Sequence, residues 1–276
     1  TSRAYYNNLL GEYEEFITGY FGYQKVLPMN TGVEAVETAL KLCRKWAYQV
    51  KGITENKAKI IVCHNNFHGR TLGVISFSSD PTATNNYGPF LPGYEPIPYN
   101  DLAALEKALQ DKNVCAFLFE PIQGEAGVII PDDGYYKGIR QLCDQYNILM
   151  VADEIQTGLS RTGRLLACDH EKVRPDILIL GKALSGGTLP VSAVLADDEI
   201  MLTIKPGEHG STYGGNPLAC AVAMTALRVL KEEKMAANAE AMGEIFRNEM
   251  QKIKSPFLRT VRGRGLMNAI EIEHSN

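Results

Sequence analysis

Short apolar runs, each of strand length and separated by stretches of helical periodicity, constrain this chain most. They fall at residues 59–63, 74–77, 115–120, 148–153, 176–181 and 191–196. Most are continuously apolar rather than alternating, which suits strands buried on both faces of a mainly parallel sheet. Helical segments at 100–111 and 134–147 fill gaps between runs and set a βαβ rhythm, so the expected class is α/β. A first helix is expected from Ser2, as its cap, to about Phe21, with Leu9, Leu10, Tyr13, Phe16, Ile17 and Tyr20 on one face. A second is expected from Gly32 to Val50, with Val33, Val36, Ala39, Leu40 and Cys43 inward. A long helical region opens near Pro217, and charge density rises through 231–254. That shift places a domain boundary at about 235, giving a large domain over 1–235 and the start of a smaller one over 236–276.

Bulk properties exclude several functions. The net charge is −4, with Lys and Arg scattered rather than gathered into a basic stripe, so no nucleic-acid partner is expected. No apolar run approaches the roughly 20 residues of a membrane helix, so no membrane association is expected either. The 6 cysteines are widely spaced without a CxxC pair and read as reduced, buried and intracellular. The 5 histidines lack metal-ligand spacing, and no metal is expected.

In open α/β sheets, ligands bind beyond the carboxyl ends of the strands. Three such ends carry polar groups here. One run ends in Asp153-Glu154-Ile155-Gln156-Thr157-Gly158, a second in Gly181-Lys182-Ala183, and a third in Glu120-Pro121-Ile122-Gln123-Gly124-Glu125. An amine desolvated at a strand end is suited to act as a Schiff-base nucleophile, and Lys182 is the candidate. The other reading is a structural lysine snorkelling to solvent. Asp153 would keep a pyridine nitrogen protonated, or would serve only as a helix cap or ion-pair partner. Asn30-Thr31-Gly32-Val33-Glu34-Ala35 is a small-residue turn opening a helix, suited to a phosphate or to ordinary capping. Residues 208–217 form another Gly-rich turn with hydroxyls before a helix, or a flexible loop. Phe67 would stack on an aromatic ring or sit in the core.

Together these segments resemble the class III aminotransferases, and most closely the subgroup that acts on ornithine. The strongest element is Val151-Ala152-Asp153-Glu154-Ile155-Gln156-Thr157-Gly158 followed by Leu180-Gly181-Lys182-Ala183. The match covers essentially the whole chain. It implies a fold-type I transferase using pyridoxal 5′-phosphate, with Lys182 forming the Schiff base and shuttling the proton. Asp153 then pairs with the pyridinium nitrogen, Gln156 with the ring hydroxyl, and Gly32 and Val33 bind the phosphate through backbone amides. Phe67 stacks on the ring, Glu120 supports the network, and His68 sits close by. Ser211 and Thr212 are implied to reach the cofactor of a neighbouring subunit, which requires a homodimer or larger.

The subgroup likeness rests on Asn30-Thr31-Gly32-Val33, on Pro190-Val191-Ser192-Ala193-Val194-Leu195 and on residues 203–210. It implies amino acid and 2-oxo acid substrates, with Arg70 holding the α-carboxylate of ornithine. Glu125 then masks a second arginine while ornithine reacts and releases it for 2-oxoglutarate. Relatives acting on acetylornithine or 4-aminobutyrate, an aminomutase, and an inactive truncated product are the other readings. The second arginine is expected beyond Asn276, and aromatic substrate contacts before Thr1, so the chain reads as a fragment lacking both ends. The mitochondrial matrix is the expected compartment in preference to the cytoplasm.

Overall fold

The computed structural model describes residues 6–273. The expected Ser2 cap lies outside the described residues. Helix α1 runs Asn8–Phe21 from a cap at Asn7, whose Oδ1 accepts the Leu10 N–H at 2.9 Å. Strand β1 (Lys25–Met29) leads into α2 (Gly32–Trp46), which ends four residues before the expected Val50 and passes into a π turn, Ala47–Lys51. Strand β2 (Lys59–Cys63), single-turn helices α3 (Leu72–Ile75) and α4 (Pro81–Thr84), and β3 (Tyr94–Ile97) follow. Then come α5 (Leu102–Leu109), β4 (Val114–Phe119), α6 (Tyr135–Tyr146), β5 (Leu149–Asp153), β6 (Ile177–Leu180) and β7 (Ser192–Ala196). The chain continues through α7 (Asp198–Met201), α8 (Pro217–Glu232), α9 (Met235–Gln251), β8 (Leu258–Arg264) and β9 (Met267–Ile272).

The main sheet has the order β1-β7-β6-β5-β4-β2-β3. Strands β3, β2, β4, β5 and β6 pair in parallel, while β7 runs antiparallel to both β6 and β1. Two edge strands were not expected. Both contain a proline, Pro28 in β1 and Pro96 in β3, which weakens a strand signal but is tolerated at a sheet edge. The expected strand at 74–77 is instead the helical turn α3. Its apolar residues Val74, Ile75 and Phe77 are buried, but β3 and β4 already occupy both edges of β2.

Alternate residues of each strand serve different layers. Ile60, Val62, Leu118, Val151, Ile177 and Ile179 pack with Val36, Leu40 and Cys43 of α2. Ile61, Phe117, Phe119 and Met150 face Leu105 of α5 and Ile139 and Cys143 of α6. Further along, Leu178, Leu180 and Leu195 join Tyr13 and Ile17 of α1 and Ala223 and Leu227 of α8. Each such aliphatic side chain contributes roughly 1.5–3 kcal/mol through burial, which explains why the strands carry unbroken apolar runs. All six cysteines are buried and unpaired. Strands β8 and β9 form a separate antiparallel sheet against which α9 packs. Among the described residues, no helix is long and apolar enough to cross a membrane.

Candidate active site

The parallel strands β2, β4, β5 and β6 deliver their following loops to one side of the sheet. Between these loops and the start of α2 lies a cavity of about 200 Å³. Gly32, Val33, Phe67, His68, Glu120, Asp153, Gln156 and Lys182 all line it, bringing residues scattered over 150 positions of sequence into one place. Gly69, Ile122, Ile155 and Thr157 complete the wall and were not anticipated. Their signal was only their adjacency to the polar strand ends.

The helix end is prepared for an anion. Thr31 caps α2 by accepting the Glu34 N–H at 3.4 Å, while Glu34 Oε2 accepts the N–H groups of Asn30 (3.0 Å) and Thr31 (2.6 Å). These bonds hold the Glu34 carboxyl below its usual range, although burial pushes it the other way. The Ala35 N–H goes to the Thr31 carbonyl. Among the described residues this leaves the amides of Gly32 and Val33, at the positive end of the helix, for a ligand. Gly32 is closely packed, because a Cβ there would stand 3.0 Å from Ile155 Cδ1 and would need that side chain to give way.

At the opposite wall Asp153, the last residue of β5, is 5% exposed. Its Oδ2 lies 2.7 Å from His68 Nδ1, and its Oδ1 accepts the Ile155 N–H at 3.1 Å. Burial opposes charge on His68, but the bond to Asp153 and the nearby carboxyls prevail, so the imidazole is held above its ordinary range. Nδ1 therefore donates to Asp153 and keeps that carboxylate oriented. Glu120 accepts the Phe67 N–H at 3.0 Å, fixing the backbone beneath the Phe67 ring.

Burial is the main influence on Glu120 and pushes its carboxyl up to about 7. In the folded state Glu120 therefore keeps its proton to a higher pH than in the unfolded chain, where carboxyls titrate near ~4.3. Its contribution to stability is full below the unfolded value and is lost as pH rises through about 7. Glu120→Gln stays neutral and still accepts the Phe67 N–H. Urea unfolding from pH ~5 to ~8 should show a shallower loss of stability in the variant than in the parent.

Lys182 follows β6 and Gly181 and starts a 3-10 turn. Its backbone lies in the left-handed region at φ 43°, uncommon for a residue with a side chain and a feature that clusters at functional sites. The desolvated strand-end amine expected from the sequence is not found. Lys182 is exposed: it lies one residue beyond the buried strand, in a turn whose neighbours Ala183, Gly186, Gly187 and Thr188 are exposed as well.

Four expected residues lie outside this cavity. Arg70 and Glu125 share a neighbouring cavity of about 560 Å³, which meets the first at Phe67, His68 and Gly69. Arg70 sits over the Phe67 ring at 5.6 Å. Ser211 and Thr212 line a third, beyond Val33, where Asn30 Nδ2 donates to Ser211 Oγ at 2.9 Å. One important residue went unrecognised. Glu154 is fully buried, and its carboxylate accepts the Thr157 hydroxyl and the N–H groups of Ala167 (3.0 Å) and Cys168 (2.9 Å).

The donor set fits pyridoxal 5′-phosphate. Unfilled helix amides suit a phosphate, a buried carboxylate backed by an imidazole suits a pyridinium nitrogen, and an amine lines the same wall. Comparison with known proteins agrees. The aminotransferase class-III family profile matches residues 1–276. The ornithine aminotransferase, mitochondrial, of Rattus norvegicus is 66% identical over 275 residues, covering 100% of this chain and 63% of that protein. The structure of the ornithine aminotransferase from Toxoplasma gondii superposes with a TM-score of 0.97 at 54% identity, over 99% of this chain and 66% of that one. An acetylornithine aminotransferase from Elizabethkingia anophelis gives a TM-score of 0.88 at 56% identity, over 100% of this chain and 66% of that one. The chain thus spans about two thirds of the length of the relatives it matches. With this cavity and a match along its whole length, the chain belongs to the class-III aminotransferase family.

Proposed function

We propose that the complete protein is a pyridoxal-phosphate-dependent aminotransferase that moves the δ-amino group of L-ornithine to 2-oxoglutarate, giving glutamate 5-semialdehyde and glutamate in a ping-pong reaction. The observation that carries this reading is Lys182 on the wall of the cavity that also holds the Asp153–His68 pair and the α2 amides. Ornithine is favoured by the rat and Toxoplasma likenesses.

When bound, pyridoxal phosphate supplies the electron sink that acidifies the C–H bond beside the transferred nitrogen. Gly32 and Val33 hold its phosphate through their amides. Asp153, kept in place by His68 Nδ1 and the Ile155 N–H, holds a proton at the ring nitrogen. Phe67, on the cavity wall, would pack against the ring, and Gln156 would hydrogen-bond its hydroxyl. Lys182 Nζ anchors the cofactor, then takes the proton from the substrate carbon and returns it at the other end of the reacting system. Arg70 binds the α-carboxylate and leaves the δ-amine to enter the cavity. Glu125 answers the need to accept first a diamine and then a dicarboxylate, because a movable carboxylate changes the charge of the pocket.

Ser211 and Thr212, outside their own chain's cavity, serve the site of a partner subunit in a homodimer. Residues 236–276 begin a second domain, built around α9 and the β8–β9 sheet. The compartment is the mitochondrial matrix, in keeping with the name of the rat relative.

Acetylornithine is the competing substrate, since the Elizabethkingia protein, at 56% identity, is as similar in sequence as the Toxoplasma one at 54%. The complete gene product, loaded with cofactor, should show kcat/KM for ornithine at least about 10-fold above those for acetylornithine and 4-aminobutyrate. Preference for either of the latter would overturn the substrate assignment.

A further inference from the structure

We propose that Arg262 is a positioning residue for substrate choice: its guanidinium clamps the turn that carries Glu125 and ties the β8–β9 sheet to the substrate side of the site. The inference rests on the functional reading above and goes beyond it, because Arg262 lies outside the cofactor cavity.

The turn occupies residues 123–129. Its ends are joined where Gln123 N–H donates to Ile129 O at 3.2 Å and Ile129 N–H returns to Gln123 O at 2.9 Å. Inside it, the N–H groups of Gly127 and Val128 both donate to Gly124 O at 3.0 Å. Gly127 and Val128 have φ of 106° and 56°. A β-branched residue avoids the left-handed region, so local preference alone does not maintain this turn.

Arg262 supplies what is missing. From β8 its Nε donates to Gly127 O at 2.9 Å and Val128 O at 3.2 Å, and its Nη2 to Gly127 O at 2.7 Å. Its Nη1 donates to Glu271 Oε2 on β9 at 2.9 Å, which aims the fork. A planar guanidinium reaches two successive carbonyls and a carboxylate together, and a lysine ammonium does not reproduce that geometry.

The other side of the turn meets the cofactor cavity. Gln156 Nε2 donates to Glu125 Oε1 at 3.3 Å. Gly124 is wedged so tightly that a Cβ there would stand 1.7 Å from Gln156 Oε1 and 2.9 Å from Met267 Cε of β9. The turn is therefore held between the cofactor wall and the second sheet. The position of Glu125, and with it the charge offered to each substrate, depends on Arg262.

Arg262→Ala in the cofactor-loaded complete protein tests this. Amide exchange over residues 123–129 should rise about 10-fold or more. The half-reaction with ornithine should lose about 10-fold in kcat/KM, while that with 2-oxoglutarate stays within about twofold. Adding Arg262→Ala to Glu125→Ala should cost little more than Glu125→Ala alone, because both act through one group. Arg262→Lys, which keeps the charge without the fork, should restore neither readout. Unchanged exchange, equal losses in both half-reactions, additive effects or full rescue by lysine would each overturn the proposal. If the parent enzyme does not turn over ornithine, the functional reading falls instead, and the exchange measurement alone decides whether the clamp exists.

Discussion

Lys182→Ala is expected to lower transamination by at least roughly 10³-fold, since in the proposed mechanism one side chain both anchors the cofactor and moves the proton. The absorbance of lysine-linked pyridoxal phosphate should disappear with it. Stability should hardly change. Lys182 is exposed, lies at the start of an irregular loop and takes part in no ion pair among the described residues. Surface substitutions of this kind stay within about 0.5 kcal/mol. Lys182→Arg should fail as completely, because a guanidinium stays protonated and is no nucleophile. Thermal unfolding beside absorbance spectra separates the two effects. An intact lysine-linked absorbance band in Lys182→Ala would refute the mechanism.

The second large effect concerns stability. Glu154→Ala should cost about 3–5 kcal/mol, because it leaves the Ala167 and Cys168 N–H groups and the Thr157 hydroxyl without their buried acceptor. At this chain length that corresponds to a fall in Tm of at least ~6 °C. Burial raises the Glu154 carboxyl above its usual range while those three donors lower it. The donors are therefore what make a fully buried acid tolerable there. Glu154→Gln retains one acceptor oxygen and should fall between parent and Ala variant. Glu154 also closes the loop that carries Ile155, Gln156 and Thr157 along the cavity wall, so cofactor affinity should weaken in the same order. A Glu154→Ala protein with parental Tm would show that the loop is held by other contacts.

These two residues illustrate unequal legibility. Asp153 and Lys182 were readable because each ends an unbroken apolar run, and buried strands of a parallel sheet must place their following residues at the ligand side. Glu154, adjacent to Asp153, looked like the same acidic pair. Only the folded loop shows that one carboxylate faces the cavity with His68 while the other faces backbone amides of residues 167 and 168. The edge strands β1 and β3 stayed hidden by Pro28 and Pro96, and the 74–77 run imitated a strand because burial alone, without pairing, leaves the same apolar signature.

The sequence by itself determined the α/β class and the principal strands, since hydrophobic periodicity is local, and its strand-end motifs together with the family resemblance picked out eight of the residues gathered in the cavity. Tertiary structure alone decided how that wall is supported. The His68–Asp153 bond spans 85 positions and the Arg262 clamp 135, and no local pattern encodes which distant carbonyl or carboxylate a side chain will meet.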